Sequence, residues 1–566
     1  MLVTLRDEDG VGGLVDGMSP GTLWIQPKGR METRTVLAGL ERNKKGWVRV
    51  PPVLVGEVLT GRWAPVAEAA GLPVDRWRRW ALREKGRDGS PVPSLSIEEI
   101  QEGWPGLRGY QVEGVHWLGA TAMRGLLLDD MGLGKTIQML VAMEAHREAF
   151  GLRRVIIVVT KSVLLNWPRE AERWAPSWDV RPAGTAKQIC RLLSGGWEGA
   201  LVTTWGQLSK RLIPGHQWPD SLSAMMAWGP DLLVEDEAQY AKERSSSRGV
   251  VALELSYAAR MRVLMSGTPM RNRPAELWAL LHAVDPVRWP SFVPFGRRYC
   301  APRPRYVGRK VFYDYKGASN VEELAVELSS VKLRRRKSDV LDDLPDKVTH
   351  QRFYVAPKVL RDGWREVQAL LVEMRKTGEE SPELLSRFTG AYHDTGLAKV
   401  EATMALLDEL WGDVGEGEPR EPVIVLAHHG DVIEAIEDRL RARGLRVGKI
   451  VGATTGGGRQ RVVDAFQAGE LDVFIGSQAC KEGVTLTRSC LVIQAERWWT
   501  DADEDQGVSR AHRYGQGRVV QVFYPHLAST MDDYFAALVE KKKTLSLDIV
   551  DARGLMMAMA DHLGAS

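Results

Sequence analysis

Four cysteines in 566 residues, Cys190, Cys300, Cys480 and Cys490, are too few and too scattered for a disulfide framework, and none sits in a Cys-x-x-Cys or Cys/His cluster with zinc-ligand spacing. No apolar run approaches the ~20 residues that span a bilayer, and the opening MLVTLRDEDG lacks a signal-peptide core. A soluble, intracellular, cytoplasmic protein with no membrane partner is therefore expected. Net charge is also scarce. With 76 basic and 73 acidic residues the balance is +3, so a nucleic-acid surface has to come from local clusters rather than from bulk charge. No low-complexity segment or long internal repeat is present, and with 44% hydrophobic and 26% charged residues long disordered tails are not expected. The chain is too long for one core; about three or four domains are expected.

Local clusters do occur: RWRRWALREKGR at 76–87, RPRYVGRK at 303–310, KLRRRK at 332–337 and KKK at 541–543. Each alone is more often a solvated face than a binding surface. From residue 101 onward, short apolar runs alternate with helical patterns: RVIIVVT, ALVTT, DLLVEDE and VLMSGT, then, after an Arg-, Pro-, Gly- and Tyr-rich stretch at 285–347, PVIVLAHH, RVGKIVG, DVFIGS, LVIQA and VVQVFY. Two parallel sheets covered by helices are predicted, with functional residues at the strands' carboxyl ends. The first hundred residues carry Trp24, Trp47, Trp63, Trp77 and Trp80 and suit a small accessory domain. Within them PVAEAAGLPVDRWRRWAL faintly resembles a helix-turn-helix.

The stretch GLLLDDMGLGKTIQML, residues 125–140, reads as strand, glycine turn and helix. Glycine lets backbone N–H groups close around phosphate oxygens, and the helix N-terminus adds a favourable dipole. Met131, Gly132, Leu133 and Gly134 would form that cradle, Lys135 would reach the outer phosphates, and the Thr136 hydroxyl would ligate Mg²⁺. Asp129 stands where the loose consensus has its first glycine.

Downstream, LLVEDEAQ places Asp236 and Glu237 just past an apolar strand. Adjacent carboxylates can divide two tasks, Asp236 serving Mg²⁺ and Glu237 orienting a water for in-line attack on phosphorus. In EDQGVSRAHRYGQGR, Arg510 and Arg513 at i, i+3 are predicted to share one helical face. An arginine of this kind can neutralise charge developing on the transferred phosphoryl group.

The succession of motifs resembles the Swi2/Snf2 group of superfamily 2 helicase-like ATPases. It runs from LRGYQVEGVHWL (107–118) through DDMGLGKT, VVTKSVLLNW, TTW, DEAQYAK and MSGTPMRNRPAELWALL to LRRRKSDVLDDLP, GSQACKEGVTLT and QGVSRAHRYGQ (506–516), about four-fifths of the chain. Within the group, FGRRYC, KGASNVEEL, LRRRKSDVL and VLAHHGDVI look most like the HARP-type annealing-helicase branch, whose members rewind complementary strands and remodel forks. There are departures: Gly507 replaces a usual alanine, RWWTDAD (497–503) replaces a Trp-Asn-Pro region, and no HARP domain is legible upstream.

The resemblance implies an α/β fold of two RecA-like doubly wound parallel-sheet lobes, with a helical and basic protrusion and linker. The expected segments are an accessory domain at 1–100, an ATP-binding lobe at 101–284, a protrusion and linker at 285–347, a second lobe at 348–540 and a helical tail at 541–566. It further implies that Gln111 contacts adenine, that Ser266, Gly267, Thr268 and Gln506 couple nucleotide state to lobe movement, and that Lys161, Thr203, Thr204, Lys481 and Thr485 face nucleic acid. The expected activity is ATP- and Mg²⁺-dependent translocation on duplex or forked DNA by a monomer, with the N-terminal domain available to a protein partner. A strand-separating helicase and an ATP-binding clamp with little hydrolysis remain alternatives, and no strand-splitting pin is legible. Compact size and arginine content hint at a prokaryotic or phage source.

Overall fold

The computed structural model describes residues 94–535, except 209–219, 268–273, 287, 290, 308–309, 342–343, 378–381, 413–419, 482 and 499–500. It also describes four short antiparallel strands, Leu2–Val3, Gly13–Val15, Leu23–Gln26 and Val48–Val50. The helix-turn-helix-like stretch, the cluster at 76–87 and the tail at 541–566 lie outside the described residues, as does Thr268. The chain divides into two compact units, Met1–Asp130 with Gly134–Arg336, and Met131–Leu133 with Lys337–Ser566.

The first unit is built on seven parallel strands. They are β1 (Arg124–Leu127), β2 (Arg154–Val159), β3 (Val180–Pro182), β4 (Gly199–Thr204), β5 (Leu232–Asp236), β6 (Met261–Met265) and, after a hairpin of β7 (Arg303–Val307) and β8 (Lys310–Asp314), β9 (Lys332–Leu333). Their order is β9-β1-β6-β5-β2-β4-β3. The strand sequences are continuously apolar because both faces are covered. Leu126, Ile156, Leu233 and Leu264 pack on one side with Leu255 and Trp278, whereas Leu127, Ile157, Val234 and Met265 pack on the other with Val115 and Leu140. The covering helices of the second face include α1 (Gly109–Ala120) and α2 (Lys135–Ala145).

A helix at Ile97–Gly103, capped reciprocally by Ser96 and Glu99, buries Ile100 in this same core. Much of the segment after residue 285 also folds onto the first unit: Phe292, Phe295, Tyr299, Leu324 and Leu328 join its core. The β7–β8 hairpin stands out among the described residues of this segment, with Tyr306, Val311, Phe312 and Tyr313 all exposed. A discrete β-ribbon thus occupies a region where the residue pattern shows no pin-like element.

The second unit has six parallel strands, β10 (Lys347–Val355), β11 (Val423–Leu426), β12 (Val447–Ile450), β13 (Val473–Gly476), β14 (Leu491–Gln494) and β15 (Val520–Ala528), in the order β10-β15-β14-β11-β13-β12. Val425, Ile475 and Ile493 pack with Leu407 of a long helix, α3 (Pro382–Trp411), while Leu426, Phe474 and Val492 pack on the opposite face with Phe466. Both sheets are therefore doubly wound, as expected.

Candidate functional site

The phosphate loop leaves β1 at its carboxyl end and enters α2. Gly132 and Gly134 adopt φ of 86° and 75°, the left-handed region that side chains resist. A Cβ on Gly134 would lie 2.4 Å from Gln111 Nε2, so the bare backbone is what lets Gln111 sit against the loop. Gln111 is itself oriented, its Oε1 accepting the Arg108 N–H at 3.0 Å. Lys135 Nζ donates to the carbonyls of Asp129 and Asp130 at 2.7 and 3.2 Å. Burial pulls its ammonium below the usual lysine range, opposed by the charges of Glu237, Asp129, Asp236 and Asp130. Thr136 follows in the first turn of α2, half-buried.

Asp129 explains its own departure from the glycine pattern. Fully buried, it accepts from Arg335 backbone N and Nε at 3.1 Å, from Arg335 Nη2 at 2.5 Å and from Gln138 Nε2 at 3.1 Å. Arg335 Nη2 also reaches Gln138 Oε1 at 2.7 Å, and its Nη1 donates to the Tyr110 carbonyl. The backbone reinforces the link: the Asp130 N–H donates to the Arg335 carbonyl, while β9 pairs with β1. Part of the basic cluster at 332–337 is therefore a buried brace for the phosphate loop. A charge count cannot separate this residue from its solvated neighbours.

At the end of β5, Asp236 is half-buried and its carbonyl accepts from Trp205 Nε1 at 2.7 Å. Glu237 adopts φ 54° and ψ 50°, a left-handed conformation that costs a side-chain-bearing residue of order 1 kcal/mol or more and clusters at functional sites. Gln239 Nε2 donates to Glu237 Oε2 at 2.6 Å, and Ser266 Oγ donates to Gln239 Oε1 at 2.8 Å. A hydrogen-bonded chain Glu237–Gln239–Ser266 thus joins the ends of β5 and β6. Gln239 was not singled out by sequence reasoning, because glutamine has no charge or spacing signature. Gly267 follows Ser266, and both are buried. The third acid of this stretch, Glu235, points into the core instead: it is 1% exposed, Oε1 has no hydrogen-bond partner, and burial pushes its carboxyl up to about 8.

In the second unit, a helix α4 (Asp501–Val508) carries Gln506, whose carbonyl accepts from Arg510 Nε at 3.2 Å. The helix ends before the two arginines, correcting the expected helical face. The Arg510 carbonyl is taken by the Leu486 N–H at 2.9 Å, and the chain continues in turns. Arg513 Nη1 donates to Thr485 Oγ1 at 3.0 Å and to the Val484 carbonyl at 3.3 Å. Lys337 Nζ reaches the His512 carbonyl at 2.6 Å, and the buried Gln516 amide bonds the carbonyls of Thr487 and Ser489.

The residues expected to face nucleic acid are less uniform. Lys161 is exposed just beyond β2. Thr203 has no exposed surface and donates to the Ala183 carbonyl at 3.0 Å, and Thr204 is buried. β4 is buried throughout its length, and the Thr203 hydroxyl is bonded within its own unit. Lys481 is paired with Asp503 at 2.7 Å, and Thr485 is held by Arg513.

Two family models match the chain: the SNF2-related domain over residues 110–377 and the helicase conserved C-terminal domain over residues 398–515. The relatives include the SWI/SNF-related matrix-associated actin-dependent regulator of chromatin subfamily A-like protein 1 of Xenopus tropicalis, 29% identical over 456 residues, covering 80% of this chain and 46% of that protein. They also include the DNA annealing helicase and endonuclease ZRANB3 of Mus musculus, 28% identical over 453 residues, covering 78% and 41%. The chain thus spans less than half the length of these relatives. Among solved structures, the Sulfolobus solfataricus SWI2/SNF2 ATPase core in complex with dsDNA aligns at 22% identity with a TM-score of 0.39, covering 81% of this chain and 96% of that one. The curated relatives come from frog, mouse, cattle, human, fly and worm, which overturns the expected prokaryotic or phage cytoplasm. Chain length and arginine content are not determined by compartment. With both domain models matched in order over two doubly wound sheets, the chain belongs to the SNF2 family of helicase-like ATPases.

Proposed function

We propose that the chain is a DNA-dependent ATPase that couples hydrolysis to translocation on duplex or forked DNA, acting as a monomer. The carrying observation is the Glu237–Gln239–Ser266 hydrogen-bond chain beside Lys135, since it ties the water-orienting carboxylate to the motif expected to sense lobe movement. In this reading Lys135 and the N–H groups of the glycine loop hold the phosphates of ATP, and Gln111 borders the adenine side. Glu237 orients the attacking water, while Arg510 and Arg513 meet the charge that develops on the phosphoryl group. The Thr136 hydroxyl and Asp236 carboxylate form an all-oxygen donor pair suited to Mg²⁺, which when bound neutralises phosphate charge.

Gln239 is assigned as the positioning residue for Glu237. When Ser266 shifts, Gln239 transmits the shift to the carboxylate, so that water is well oriented only in one state of the motor. The relatives named for chromatin regulation and DNA annealing support a DNA substrate. Steady-state ATP hydrolysis measured without DNA and with single-stranded, blunt duplex and forked DNA tests the reading. Stimulation by the duplex-containing forms is expected; hydrolysis indifferent to every DNA would refute it.

A further inference from the structure

The β7–β8 hairpin is a surface that the ATPase reading leaves without a role. Its strands pair Arg303 with Asp314, Pro304 with Tyr313, Arg305 with Phe312 and Tyr306 with Val311. Alternation then sorts the side chains onto two faces. One carries Pro304, Tyr306, Val311 and Tyr313, and the other carries Arg303, Arg305, Phe312 and Asp314. Among the described residues neither face is covered: Tyr306 is 74% exposed, and Phe312 and Tyr313 are each 53% exposed. Exposed aromatics on both sides of an isolated ribbon are costly to keep in water and mark a binding surface.

The root of the ribbon is held firmly. Tyr315 packs edge-on against Phe292 at 5.1 Å, and its ring lies 2.8 Å from where a Cβ on Gly296 would be. Ser319 Oγ accepts the Ala301 N–H at 3.1 Å, and the Ser319 N–H donates to the Tyr299 carbonyl at 2.9 Å. The aromatic tips are thus presented by a fixed base rather than by a loose loop.

We propose that this hairpin is a stacking wedge for unpaired bases at a junction between duplex and single-stranded DNA, an assignment that rests on the DNA-dependent reading above. Residues 303–314 contain four cations, Arg303, Arg305, Arg309 and Lys310, against one acid, Asp314, which lies 3.8 Å from Arg305. That balance selects a polyanion over an acid-poor protein surface. Within a duplex the base faces are covered by their neighbours, so tyrosine and phenylalanine rings find far more free π-face on the unpaired bases of a fork's arms than on a blunt duplex. The arginines beside Phe312 supply phosphate contacts that place the strand without reading its sequence.

The experiment compares the full chain with a Tyr306→Ala/Phe312→Ala/Tyr313→Ala variant and a Tyr306→Phe/Tyr313→Phe variant. The readouts are affinity for a fork with single-stranded arms, affinity for a blunt duplex of equal length, and the fluorescence of 2-aminopurine beside the junction. Stacking of one base loses about 5- to 140-fold in affinity on alanine substitution, so the alanine variant should bind the fork at least about 5-fold more weakly. It should also lose the fluorescence quenching while keeping its affinity for blunt duplex. The phenylalanine variant, which preserves the rings, should behave as wild type. Unchanged fork binding by the alanine variant, or an equal loss on blunt duplex, overturns the wedge while leaving the DNA-dependent ATPase intact. Wild-type protein that neither binds DNA nor is stimulated by it overturns both.

Discussion

Glu235 offers a test of the site's charge that needs no ligand. It lies on β5 between register partners Leu264 and Val158, buried and with an unpartnered oxygen, and burial lifts its carboxyl from 4.5 to about 8. Because the folded value lies above the unfolded one, the native state binds the extra proton. Stability is undiminished below about pH 4.5, falls as pH rises toward 8, and is level above that. At 1.36 kcal/mol per unit, the loss is under about 1 kcal/mol at pH 5, about 3 kcal/mol at pH 7 and about 5 kcal/mol at pH 9. Glu235→Gln keeps the shape of the neutral acid and removes its ionisation. The variant should therefore gain stability over wild type by those amounts, read from urea unfolding followed by tryptophan fluorescence at the three pH values. A gain independent of pH, or a loss at pH 9, would refute the reasoning. The result bears on function as well: a neutral Glu235 leaves Asp236 and Glu237 as the charged acids of their stretch beside Lys135.

Lys135→Ala should abolish hydrolysis by removing the charge that holds the outer phosphates, whereas Glu237→Gln should keep ATP binding and stall turnover; wild-type turnover in the latter would show that another group orients the water. Arg510→Ala and Arg513→Ala should lower kcat far more than ATP affinity, because an arginine that meets transition-state charge acts selectively on turnover. Normal kcat in both would misplace the second-unit site. Gly507→Ala should destabilise the second unit by about 1–3 kcal/mol, since the added methyl would lie 2.9 Å from Leu426 and from the Trp498 ring. Thermal unfolding of the full chain measures it, and an unchanged transition would show that Trp498 can yield.

Both sheets were legible because parallel strands covered on two faces read as unbroken apolar runs; those around Ile157, Val234, Val425 and Ile475 needed no partner to be recognised. The edge strands β3, β9 and β10 were not, although the edge strand β12 was. β10 pairs with β15 over nine residues, yet its side chains alternate between exposed and half-buried, so KVTHQRFYV carries no core signal. The phosphate loop and the acidic pair were legible because glycine, lysine and adjacent carboxylates at strand ends have few other uses in that order. Gln239, Gln138 and Gln516 were not, because a neutral amide gains its role only from what the fold places within hydrogen-bonding reach of it. The local geometry of Arg510 and Arg513 escaped for a related reason: the helix stops where a distant backbone N–H, that of Leu486, captures a carbonyl.

The departures from the family pattern are where residue-by-residue reading fails most instructively. Asp129 alone is a misplaced acid in a phosphate loop, and Arg335 alone is one more cation in a basic run. Together they form a buried pair whose disruption leaves an uncompensated charge, a loss of about 3–5 kcal/mol. Gly507 and Trp498 repeat the logic in the second unit. The Trp498 ring is 2% exposed, its Nε1 donates to the Ala427 carbonyl at 3.1 Å, and it occupies the space a methyl on residue 507 would need. Two apparent departures, a missing alanine and a replaced Trp-Asn-Pro region, are then one change in packing at the root of the arginine motif. Each member looks like an error until its partner, hundreds of residues away for Asp129 and nine for Gly507, is placed beside it. The contact is therefore the unit to be read, and a substitution at Asp129 or Gly507 is interpretable only with Arg335 or Trp498 in view.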